Sequence, residues 1–158
     1  MPKKSVAVML DAGFVLLKLK EQLRKHATAD QVLQFSTNCV RKDEELFRVY
    51  YYDCPPFEEA LTNPISGKTS AFGNSPMFEA KTHFLRNLAK KDHIAFRAGR
   101  LSCSGWGLKR TAEDCLIKGT KKTTELNADD VEPDFRQKRV DMKIGLDVAW
   151  LSSIALPK

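Results

Sequence analysis

The chain has 158 residues, 42% of them hydrophobic, and carries 26 Lys and Arg against 20 Asp and Glu, a formal charge of +6. This composition reads as one folded, soluble domain and excludes a disordered chain. The longest apolar run, 6–17, is interrupted by Asp11 and is too short to span a bilayer. The positive excess suits a polyanionic partner, nucleic acid above all, but +6 alone does not separate such a binder from a protein with a basic surface.

Lys3 and Lys4 ahead of an apolar run have the outline of a signal peptide. Asp11 breaks that run and no small-residue cleavage site follows, so a leader is not expected. Residues 6–10 (VAVML), ending in Asp11-Ala12-Gly13, read as a central parallel strand covered on both faces. Residues 14–25 place Leu16, Leu17, Leu19 and Leu23 at helical spacing, and 29–41 read as a weaker helix. Residues 46–53 (LFRVYYYD) are the clearest strand, stopped by Pro55-Pro56. Residues 62–76 read as a long polar loop, 77–91 as a helix, and 93–103 as a third strand. Residues 104–133 are polar and poorly patterned, and 140–153 read as the last helix. The alternation of strand and helix predicts an α/β fold, a three-layer α/β/α sandwich around a mainly parallel sheet, with 1–158 as a single domain.

Several residues could carry chemistry. Asp11 ends the first strand, where open α/β sheets bind ligands, although an Asp there also caps a following helix. Asp141 and Asp147 stand about 120° apart around a helix, so they reach one site only if Asp141 lies in the first turn. Asp141 can equally be a plain helix cap, and Asp147 a solvent-facing acid. Asp53, at the end of the second strand, is either a site acid or an ordinary turn residue. Lys138 can meet a phosphate or be a solvated charge. Arg97, Arg100, Lys109 and Arg110, near Trp106, form either a basic and aromatic contact for nucleic acid or an exposed strand edge and loop. Tyr50, Tyr51 and Tyr52 can stack on bases or fill the core. Cys39, Cys54, Cys103 and Cys115 lack metal-ligand spacing, which argues against zinc and for four reduced thiols in a cytoplasmic protein. No P-loop, GxGxxG or nucleophile-elbow pattern is present.

Three segments together resemble a known family: VMLDAGF (8–14), YYYDCPP (50–56), and KRVD (138–141) with Leu146-Asp147. The chain resembles the LabA-like branch of the NYN domains, relatives of the PIN nucleases. The resemblance implies a parallel α/β sandwich and a metal-dependent ribonuclease, with acids holding Mg²⁺ or Mn²⁺ to activate water for phosphodiester cleavage. Carried onto this sequence, Asp11, Asp141 and Asp147 are the catalytic and metal-binding acids. Lys138, Arg139, Arg97, Arg100, Lys109 and Arg110 are the nucleic-acid contacts, with RNA favoured over DNA and no membrane partner. The family continues into a further strand ending in a Gly-Asp-Ser-Asp-like motif. This sequence ends before it, which leads to the expectation of a truncated domain whose first strand is completed by a second copy or a partner chain. The alternative is a non-catalytic RNA- or protein-binding scaffold. A phosphatase-like hydrolase fits less well, because Asp11-Ala12-Gly13 lacks a nucleophilic Asp-x-Asp.

Overall fold

The computed structural model describes residues 3–154. The chain forms a mixed α/β fold whose central sheet is parallel and flanked by helices, and it divides into two compact units. Unit one comprises 1–55, 80–100 and 137–158; unit two comprises 56–79 and 101–136.

Unit one is built on three strands, β1 (Lys4–Asp11), β2 (Glu44–Asp53) and β5 (Ile94–Ala98), paired in parallel in the order β1-β2-β5. Because side chains alternate along a strand, Val8, Leu10, Val49, Tyr51, Ile94 and Phe96 share one face. Against that face pack Val15 and Leu19 of α1 (Ala12–Leu23), Val32 of α2 (Ala29–Asn38), and Leu85 and Leu88 of α3 (Pro76–Ala89). Residues of opposite parity, Tyr50 and Tyr52 among them, face the other way, where α5 (Val140–Ser153) lies across β2 and β5. All three tyrosines of β2 are buried, so their rings fill the unit's interior and are not presented for base stacking. Among the described residues β1 has no strand on its outer side.

The helix ends obey local chemistry. Thr28 begins α2 with a reciprocal capping box to Gln31, and Arg24 closes α1 in a left-handed conformation (φ 53°). No helix among the described residues is long and apolar enough to cross a membrane.

Unit two departs from the sequence expectations. The segment read as a polar loop, 62–76, instead holds the turn and second strand of a hairpin between β3 (Ala60–Thr62) and β4 (Thr69–Ala71). Its turn is set by Asn63, whose side-chain oxygen accepts from the backbone N–H groups of Ile65 (2.9 Å) and Ser66 (3.0 Å), and by Gly67 at φ 69°. Three-residue strands carry too little periodicity to be read from composition. The strand read as 93–103 is two strands, β5 and β6 (Arg100–Leu108), separated at Gly99, and β6 pairs with β7 (Val131–Lys138) in a separate sheet. The polar stretch 104–133 also holds α4 (Arg110–Ile117). Within unit two the rings of Phe57, Phe72 and Phe135 meet edge-on or tilted at 5.1–5.9 Å between centroids. Of its described residues, Ala112 alone is a fully buried hydrophobic.

Candidate functional site at the carboxyl end of the parallel sheet

Three residues at the carboxyl ends of the parallel strands stand in one register row: Asp11 beside Tyr52, and Tyr52 beside Arg97. Register neighbours in a parallel sheet point to the same face, here the one covered by α5. From α5 the carboxylate of Asp147 descends onto that row. Asp147 is only 4% exposed, which rules out its reading as a solvent-facing acid. It accepts from the Tyr52 hydroxyl at 2.9 Å and from Arg97 twice, through Nε at 2.7 Å and through Nη2. The Arg97 guanidinium also lies 5.8 Å from the centroid of the Tyr50 ring.

The electrostatics follow from this pairing. The Arg97 guanidinium beside it holds the Asp147 carboxyl below the usual carboxylate range, against the opposing effect of burial, with the Tyr52 hydroxyl adding to the depression. Arg97 is held more firmly protonated by the same bond. Burial pushes the Tyr52 phenol up, and its bond to Asp147 pushes it further.

Two lysines missed in the sequence close the rest of the edge. Lys81 of α3 lies 2.5 Å from Asp53, which is buried and also accepts from the backbone N–H of Cys54 at 2.8 Å. Lys143 of α5 donates to the Ala98 carbonyl at 2.6 Å, tying the helix to the last residue of β5. A signal for Lys143 did exist: it stands four residues before Asp147, on the same helix face.

The three proposed metal ligands are not gathered. Asp11 caps α1, its Oδ1 accepting from the Phe14 N–H at 2.9 Å. Asp141 does lie in the first turn of α5, as a shared site would require, but it is exposed. Asp147 is turned onto Arg97. Among the described residues no group of three or more His, Cys, Asp or Glu is placed to hold a metal ion. As arranged, these acids do not fit a bound Mg²⁺ or Mn²⁺: the buried one has both oxygens committed to protein donors.

The predicted basic contacts divide between the units. Arg97, Arg100, Lys138 and Arg139 belong to unit one, and Lys109 and Arg110 to unit two, where Arg110 approaches Asp114 at 3.8 Å. In unit one, Gly99 lets the two segments that carry four of these cations run side by side. A Cβ there would stand 3.0 Å from the Lys138 carbonyl and 2.6 Å from Val140, so the backbone at 98–100 runs directly against that at 138–140. Arg100, Lys138 and Arg139 are exposed around this junction, and Arg97 lies two residues before it. Charge separates the same way. Unit one has 19 Lys and Arg against 10 Asp and Glu, while unit two has 7 against 10.

No family model matches the chain, and neither a curated protein nor a solved structure shows significant similarity to it.

Proposed function

We propose that this chain acts on RNA, as an NYN-like, PIN-related domain that grips the phosphate backbone through unit one. The carrying observation is the basic edge formed where β5 meets the start of α5, on a unit holding all of the chain's positive excess. Phosphate neutralisation by such an edge supplies affinity without sequence preference and is strongly weakened by salt. In this reading the protein is a binding scaffold whose acids organise its own cations.

A second reading is a metal-dependent ribonuclease using Asp11, Asp141 and Asp147 with Mg²⁺ or Mn²⁺. It is favoured by Asp11 standing in the same register row as the two residues that hold Asp147. For an ion to bind Asp147, the carboxylate would have to leave Arg97.

Incubation of a labelled single-stranded RNA with the protein and Mn²⁺ separates the readings. The scaffold reading expects salt-sensitive binding of intact RNA. Cleavage by the parent protein that disappears in both Asp11→Asn and Asp141→Asn variants would establish the ribonuclease instead. Absence of RNA binding at low salt would remove both.

A further inference from the structure

Arg97 keeps hydrogen-bond donors beyond those that Asp147 takes. Of the five N–H donors of its guanidinium, Asp147 takes two, one from Nε and one from Nη2. The remaining three, including both on Nη1, meet no acceptor among the described residues, and the side chain is 43% exposed. Here the acid is buried and the far edge of the guanidinium faces outward.

The group is also unusually well held. Asp147 fixes it in plane and the Tyr50 ring lies beneath it at 5.8 Å. Asp147 is in turn fixed by the Tyr52 hydroxyl at 2.9 Å and by a helix anchored through Lys143 to the Ala98 carbonyl. A planar fork with its rotamer already set loses little freedom when it binds, and its free edge matches two oxygens of a phosphate. Arg100, Lys138 and Arg139, exposed around Gly99, would meet the phosphates on either side.

We propose that Arg97 is a phosphate-binding residue for the RNA backbone, and that Asp147 is the residue that positions it, not a ligand to a metal. This rests on the reading that unit one binds RNA.

The test is fluorescence anisotropy of a short labelled single-stranded RNA, titrated across a salt series. Arg97→Gln should weaken binding about tenfold and lower the slope of log affinity against log salt by about 0.7, the loss of one phosphate contact on a single strand. Arg97→Lys keeps the charge and loses the fork, so the slope should persist while affinity falls about threefold. Asp147→Asn should weaken binding by a similar factor, and that penalty should vanish in the Arg97→Gln background. A penalty that survives there would mean Asp147 acts through general structure and would overturn its positioning role.

Lys20→Gln, an exposed change on α1, is the control. If the parent protein binds RNA and Arg97→Gln behaves like Lys20→Gln, this proposal fails while the RNA reading stands. If the parent protein binds no RNA, the RNA reading fails and takes this proposal with it. A Mn²⁺ site detected by calorimetry and lost in Asp147→Asn would overturn the assignment of Asp147 directly.

Discussion

Adding one methyl group at Gly99 should be among the more damaging single changes in unit one. An ideal Cβ there lies 2.6 Å from Val140 Cγ2, 2.8 Å from Cys54 Sγ and 3.0 Å from the Lys138 carbonyl oxygen. Carbon atoms prefer roughly 3.5–4.0 Å, so the first contact is about 1 Å too close. Neither side chain can swing into solvent, since Val140 is 5% and Cys54 4% exposed, and the third neighbour is backbone. Overpacking costs typically about 1–3 kcal/mol, and three simultaneous contacts place Gly99→Ala near the upper end. For a chain of this size that corresponds to a melting temperature lower by roughly 6–12 °C. Thermal denaturation followed by circular dichroism measures it. Val140→Ala removes only the closest of the three contacts, so the double variant should recover about 1 kcal/mol relative to the sum of the singles. A Gly99→Ala protein that melts with the parent, or a double variant that is simply additive, would show that the junction is looser than these distances require.

Four further outcomes follow from the same geometry. The depressed Asp147 carboxyl contributes stability that is fully present above the ordinary carboxylate value of about 3.9 and lost as pH falls through its lower folded value. Acid titration of the fold should therefore show a loss beginning below about pH 4 that is smaller in Asp147→Asn. Lys81→Met should be worse than Asp53→Asn in denaturant melts, by about 1–2 kcal/mol, because the first strands a buried carboxylate and the second leaves a neutral group. Iodoacetamide followed by peptide mass spectrometry should find Cys39, which is exposed, modified well before Cys54, whose thiol is buried and pushed up by that burial. Amide hydrogen exchange should be faster across β3, β4 and α4 than across β1, β2 and β5, since unit two has so little fully buried apolar surface.

What could be read in advance follows element length and periodicity. The core strands announced themselves through VAVML and LFRVYYYD, and α5 through its apolar spacing; all three form where expected. The hairpin at 60–71 and α4 were not legible, because each is short, and the hairpin takes its turn from a single side chain, Asn63. Gly99 was visible as a letter but not as a boundary, since its role depends on residues 40 positions away. The site was half legible. Asp147 stood out by its apolar neighbours, yet those neighbours could not reveal that Arg97 and Tyr52 would claim both its oxygens. Pairings across 50 and 95 residues are tertiary facts, and no local pattern encodes them.

The order in which unit one is assembled from the chain has a consequence for its synthesis. Its strands come from segments at 1–55 and 80–100, and the helix over their second face from 137–158, with all of unit two lying between these stretches. A chain emerging from the ribosome can pair β1 with β2 early, and can add β5 once about 100 residues are out. Tyr50, Tyr52 and Arg97 then remain uncovered until α5 arrives some 40 residues later. During that interval the nascent protein exposes an aromatic sheet face and an unpaired guanidinium. Arrest peptides placed after 100 and after 154 should report two separate folding events, the second lost in Asp147→Ala.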